Sequence, residues 1–317
     1  MIPVLLAAML LPDPLVRHEP VELQTGTGTL YGTLDLPTAG GPCPVVLVIA
    51  GSGPTDRDGN QPGLKTDNLR MLGRALAAGG VAALRTDKRG IAASAKAMTR
   101  EADVRLETYA DDAAAWVALL RKDGRFTGVG IIGHSEGSLI GTLAAKAVGV
   151  DAFVSLCGPG RPLQAVLREQ LKKNLPKAQY EASDRIIAEL EAGRPVKEVP
   201  KELIGLFRPS VQGYLISTFR IDPAKELAGL HVPVLIVSGG TDIQVSPDDA
   251  HRLAGADKAA KLVTLADMCH VLKEQKSAKL VDQLLTYLNR DQPLHPRLVP
   301  EVTGFLKEAF GKKAPER

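Results

Sequence analysis

Four short apolar runs, at residues 45–50 (VVLVIA), 81–86 (VAALRT), 129–133 (VGIIG) and 152–157 (AFVSLC), are bounded by Gly, Pro or charge. This is the pattern of strands buried on both faces of a parallel sheet. Between them, residues 68–78 have helical character, and residues 104–120 place Leu106, Tyr109, Ala110, Ala113, Trp116, Val117 and Leu120 on one 3.6-period face. Ahead of this alternation, residues 21–25 and 29–35 read as two strands joined across Gly26 and Gly28, an antiparallel hairpin. Strand rhythm returns at 232–238 (VPVLIVS) and 260–264 (AKLVT), with helices expected from Pro247 to about Leu253, near 280–288 and over 298–310.

From Pro159 to Asp222 the sheet rhythm stops. Leu163, Val166, Leu167 and Leu171 share one helical face, and Ile186, Ile187 and Leu190 share another, while Pro162, Pro176, Pro195, Pro200 and Pro209 punctuate the stretch. Its 11 Lys/Arg and 8 Asp/Glu read as a solvated face. The expected organisation is therefore a core of residues 20–158 and 223–317, a helical cap at 159–222, and an apolar N-terminal segment at 1–19. Both apolar faces of the cap are expected to border an acyl pocket.

Length and charge narrow the function. The 317 residues are 44% hydrophobic and 24% charged, a globular composition, and 39 Lys/Arg against 36 Asp/Glu make no basic surface for nucleic acid. Three cysteines, Cys43, Cys157 and Cys269, without a C-x-x-C pair suggest neither a disulfide framework nor a zinc knuckle. The apolar run at 2–11 is too short to span a bilayer but suits a signal-peptide core. With no Lys or Arg before it and no clear A-x-A site after it, cytoplasmic and exported locations both stay open. Nucleotide, zinc-protease and dinucleotide motifs are absent, so no cofactor and no metal are expected.

Gly133-His134-Ser135-Glu136-Gly137 matches G-x-S-x-G between an apolar strand and a helix-prone stretch, the context of a nucleophile elbow. A serine hydroxyl needs a base to take its proton, and an imidazole needs a carboxylate to fix its tautomer. Asp242 directly follows a strand, and His270 lies beyond the next one, giving the order Ser135, Asp242, His270 along one edge of the sheet. Asp248 and Asp249 fall at a helix start, where capping accounts for them, and Asp267 is only three residues before His270. Cys269 reads as packing, and His18, His231, His251 and His295 as surface or local hydrogen-bonding groups.

With these residues the chain resembles an α/β-hydrolase, of the lidded esterase type related to the serine aminopeptidase group. The resemblance extends over nearly everything after Val21. It rests further on Gly51-Ser52-Gly53-Pro54-Thr55-Asp56-Arg57-Asp58-Gly59-Asn60 and on residues 87–94 (DKRGIAAS), which resemble the family's D-x-R-G-x-G-x-S loop with Ala92 in place of a glycine. The implied fold is a mostly parallel sheet with helices on both faces and an inserted helical cap. In similar esterases the long Asp- and Arg-bearing loop borders the active site; Asp56, Arg57 and Asp58 are then either substrate-facing or loop-stabilising. The backbone N–H groups of Ser52 and Glu136 are the expected oxyanion donors.

The implied activity is carboxylic ester hydrolysis of a small-molecule substrate through an acyl-enzyme on Ser135. Aminopeptidase-type amide hydrolysis, thioester hydrolysis and acyl transfer use the same triad, and Glu169, Glu181, Glu189 and Glu191 are the carboxylates from which an aminopeptidase could build an ammonium site. A non-catalytic ligand-binding member is the alternative from another class. Oligomeric state is not legible.

Overall fold

The computed structural model describes residues 15–312, so the apolar run at 2–11 lies outside the described residues. Eight strands form one sheet: β1 (Val16–Thr25), β2 (Gly28–Pro37), β3 (Cys43–Ile49), β4 (Ala82–Thr86), β5 (Phe126–His134), β6 (Ala152–Leu156), β7 (Val234–Gly239) and β8 (Lys261–Leu265). Their order is β1-β2-β4-β3-β5-β6-β7-β8. β1 with β2 and β2 with β4 are antiparallel; every other pairing is parallel.

The structure moves one expected boundary. β1 begins at Val16, so residues 16–19, assigned from sequence to an N-terminal apolar segment, are strand and pair with Leu34–Pro37 through the register Val16↔Pro37 and Glu19↔Leu34. This is an edge strand whose outward positions are polar and exposed, with Pro20 in mid-run, so it carries little of the apolar alternation that marks a strand.

The helices are α1 (Asn68–Ala78), α2 (Leu106–Lys122), α3 (Glu136–Val148), α4 (Leu163–Asn174), α5 (Lys177–Glu191), α6 (Ile204–Phe207), α7 (Pro209–Phe219), α8 (Pro223–Leu227), α9 (Pro247–Ala256), α10 (Leu280–Leu288) and α11 (Leu298–Gly311). The sheet is covered on both faces, as parallel strands require. Leu69, Leu72 and Leu76 of α1 and Leu298, Val302 and Leu306 of α11 pack on Val46, Val48, Val154 and Leu235. Across the sheet, Trp116 and Val117 of α2, Ile140 of α3 and Leu253 of α9 pack on Leu47, Ile131, Phe153 and Ile236. No helix among the described residues is long and apolar enough to cross a membrane.

The chain between β6 and β7 carries α4 to α8. Leu171, Ile186, Ile187, Leu190, Leu203, Phe207, Leu215 and Phe219 form a cluster separate from the two sheet-face cores. Ile187 and Leu190 are fully buried there, so the second apolar face closes on its own segment and lines neither cavity at Ser135, contrary to the expectation from periodicity. A helical face shows that a partner exists; it does not say which one.

Asp249 also differs from its sequence reading. Its carboxylate is wholly buried and accepts from the backbone N–H of Gly160 and of Arg161, both at 3.0 Å, and from the Arg161 guanidinium at 2.8 Å. It ties the start of the inserted segment to α9 and does not act as a simple helix cap.

Candidate active site

Ser135 stands between β5 and α3 with φ 55° and ψ −125°, a conformation that costs a non-glycine residue about 1–3 kcal/mol. The surrounding backbone leaves no alternative. A Cβ on Gly133 would fall on the Gly137 carbonyl, and one on Gly137 would fall on the Ile49 carbonyl and lie 2.7 Å from that of Ala50. Both glycines of G-x-S-x-G are thus required by close approach. The Ser135 N–H donates to Leu156 O at 2.9 Å, which fixes the turn to β6.

Asp242 follows β7, and its side chain is 1% exposed. One carboxylate oxygen accepts the N–H groups of Gln244 (2.8 Å) and Val245 (3.0 Å); the other accepts His270 Nδ1–H at 2.7 Å. Burial works to raise this carboxyl, but the facing imidazole and these donors outweigh it and hold the group below the ordinary carboxylate range. Because Nδ1 carries the proton, Nε2 presents its lone pair, and His270 and Ser135 line the same cavity of about 270 Å³. Among the described hydrogen bonds none joins Ser135 Oγ to Nε2, a looseness common in sites without substrate.

His134 holds His270 from behind. Its Nε2–H donates to the His270 carbonyl at 2.8 Å, with the two rings 5.0 Å apart. Burial, assisted by the neighbouring His270, pushes the His134 ring down to about 4, so it is neutral near pH 7. The loop after β8 is further tied to the Asp242 loop by Thr241 Oγ1–H, which lies 3.0 Å from Met268 O and 2.6 Å from Gln275 O.

The loop after β3 carries Ser52, and behind it lies Lys88. This ammonium is buried, donates to Gly51 O at 2.5 Å and Gly53 O at 3.0 Å, and sits 3.9 Å from the Glu136 carboxylate. Gly51 C=O and Ser52 N–H belong to one peptide unit, so the cation on the oxygen polarises the N–H on the other side. Burial pushes the Lys88 ammonium down, against the pull of Glu136. Sequence reasoning missed this residue; a Lys in a D-x-R-G loop gives no local sign of where its four-carbon stem leads.

The other candidates are accounted for by their partners. Arg57 bonds Asp87 through both backbone and side chain, Arg85 bridges Asp35 and Asp58, and Asp56 accepts the N–H groups of Asp58 and Asn60, so this triplet stabilises its loop. Asp267 pairs with His295 at 2.9 Å, away from His270. His295 is buried there, a hydrogen-bonding group and not a surface one. Ala92 adopts φ 44°, the backbone for which the family's glycine is suited. Glu169, Glu181, Glu189 and Glu191 pair with Arg161, Lys177, Arg194 and Arg168, and none lines a cavity at Ser135.

Cys157 Sγ, an Asp242 oxygen and a His270 ring nitrogen lie within 4.8 Å of one another, donor types that metals use. The arrangement does not fit one: Nδ1 is already engaged by Asp242, and burial drives the thiol well up, keeping it as S–H. Cys269 is buried and its thiol is likewise raised by desolvation.

The family model described as serine aminopeptidase, S33, matches residues 65–275, which include Ser135, Asp242 and His270. The chain belongs to the serine aminopeptidase S33 family. This S33-family chain is 27% identical over 269 residues to esterase EstD of Thermotoga maritima, covering 83% of its own length and 62% of that relative's. Among solved structures it is similar to Est1E from Butyrivibrio proteoclasticus, with TM-score 0.58, 19% identity and 92% and 99% of the two chains covered. It is also similar to a Pyrococcus furiosus esterase, with TM-score 0.60, 15% identity and 93% and 92% covered. These structural likenesses establish an α/β-hydrolase fold for the S33-family chain.

Proposed function

We propose that the protein is a serine hydrolase of carboxylic esters. Ser135 attacks the ester carbonyl as His270 Nε2 takes its proton; the oxyanion is met by the N–H groups of Ser52 and Glu136. His270 then gives the proton to the departing alcohol oxygen, and a water activated by the same nitrogen hydrolyses the acyl-enzyme. Asp242 keeps the proton on Nδ1 and stabilises the imidazolium. The observation that carries this reading is His270, paired with Asp242 at 2.7 Å, in one cavity with a serine on a strained elbow. The resemblance to EstD, an esterase by name, supports the ester over the amide.

The test is labelling of Ser135 by an organophosphonate, with a panel of aryl esters run beside aminoacyl amides. Labelling lost in Ser135→Ala and turnover of esters over amides are expected. Asp242→Asn should lower kcat on the order of 10⁴-fold by favouring the wrong tautomer, whereas Asp267→Asn should stay near wild type. The reverse ranking would move the acid elsewhere.

A further inference from the structure

Two cavities meet at Ser135, and they differ in chemistry. The one of about 270 Å³ holds His270 and is walled by Thr55, Gln61, Asn68 and Tyr287 among others; no Asp, Glu, Lys or Arg lines it. The other, about 120 Å³, lies against α4 and is walled by Leu139, Leu163, Val166, Leu167 and Val245. Glu136 reaches its edge beside Lys88. His270 must stand next to the oxygen it protonates, so in the ester reading, on which this inference rests, the leaving alcohol belongs in the first cavity. The acyl group then lies on the opposite side of Ser135, between Ser52 and Glu136.

We propose that the alcohol is neutral and carries further hydroxyl groups, as a sugar or a polyol does. Asn68 is 2% exposed, and its Oδ1 accepts from Leu69 N at 2.9 Å and Thr66 Oγ1 at 3.0 Å. The Thr66 hydroxyl proton also has Gly59 O at 2.8 Å, so it is the Leu69 N–H that orients the amide and leaves Nδ2 without a partner among the described residues, in a side chain that lines the cavity. Gln61 Nε2 is fixed in the same way by Thr55 Oγ1 at 2.7 Å, so Oε1 is the atom left for a ligand. An unengaged amide donor and an unengaged amide acceptor lining one cavity are matched by a guest that both accepts and donates, which a hydroxyl does. An anionic alcohol would find no cation, because Lys88 points at the Gly51 and Gly53 carbonyls; a quaternary ammonium would find no carboxylate. An alkyl alcohol would leave Asn68 Nδ2 unpaired. The apolar cavity is small, and the acyl group it suits is correspondingly short.

Acetate esters hold the acyl group constant while the alcohol changes. For wild-type protein, kcat/KM on an acetylated methyl glucoside or on glyceryl monoacetate should exceed that on ethyl acetate and on acetylcholine by at least tenfold; the first two substrates against each other tell ring from open-chain polyol. Asn68→Asp keeps the Oδ1 acceptor but replaces the donor with an anion, and should shift the acetylcholine-to-glyceryl acetate ratio upward by at least tenfold. Equal rates on all four alcohols, or a ratio unmoved in a folded Asn68→Asp protein, would overturn the alcohol assignment. Phosphonate labelling of Ser135 and turnover of 4-nitrophenyl acetate report on the ester reading separately. Their absence overturns both proposals, while their presence with a flat alcohol profile overturns only this one.

Discussion

At Ser135, backbone strain and chemistry share one residue. Because φ 55° with ψ −125° is unfavourable for any side chain, Ser135→Gly should be more stable than Ser135→Ala by about 1 kcal/mol, the released strain less the chain entropy of glycine. Both variants should be inactive; thermal or denaturant melts of the two would reveal the difference, and equal midpoints would argue against stored strain. His134 gives a pH signature. The unfolded ring takes up its proton near 6.5 and the folded ring only near 4, so the unfolded chain binds the extra proton in between. Stability from this group is therefore full above about pH 6.5 and falls by about 3 kcal/mol as pH drops to about 4. His134→Gln, which retains an N–H donor for His270 O, should flatten that part of the curve in denaturant titrations.

In the proposed mechanism Lys88 acts through the peptide it holds. In Lys88→Met the Gly51 carbonyl loses its donor and Glu136 loses its counter-charge. We expect kcat to fall about tenfold with KM nearly unchanged, since an oxyanion donor is felt in the transition state. Adding Glu136→Gln should restore stability but not kcat. If the double variant also recovers kcat, Lys88 serves only the fold. Neither lysine nor His134 is legible in the sequence as a site residue, for a physical reason: His134 meets the carbonyl of His270 and Lys88 that of Gly51 only because the sheet order brings those loops to one edge. The elbow is legible because the glycines that make room for Ser135 are its near neighbours.

At the level of elements, the two apolar faces between β6 and β7 have different fates. Leu167 of α4 borders the cavity beside Ser135, whereas Ile187 of α5 is buried inside the separate cluster. Leu167→Asn should change the ratio of kcat/KM between short and longer acyl esters, a methylene in such a pocket being worth about 1–3 kcal/mol. Ile187→Asn should instead loosen the segment, seen as faster proteolysis between residues 159 and 222 while Ser135 still reacts with a small phosphonate. An altered chain-length profile in a protease-resistant Ile187→Asn protein would contradict this division. The periodicity locates both helices well and cannot distinguish their targets. β1 shows the same limit from the other direction: its polar, exposed edge gives residues 16–19 almost no strand signal although they pair in full register.

For the molecule as a whole, the alternation of buried strands and amphipathic helices carries most of the architecture, because a strand covered on both faces must be apolar throughout. The inserted segment departs from β6 and returns to its neighbour β7, with a core of its own and ties to the rest of the chain through Gly160 and Arg161 on Asp249, Arg208 and Ser210 on Glu101, and Ser217 on the Leu106 N–H. At the elbow a single added Cβ on Gly133 or Gly137 has nowhere to go, whereas at Gly205 in the inserted segment nothing stands within 4 Å of one. An added side chain thus meets two very different tolerances in one chain. Relatives are expected to differ more between residues 159 and 222 than in the strand-turn-helix around Ser135, and an alignment in which Gly133 and Gly137 vary as freely as the inserted segment would contradict this.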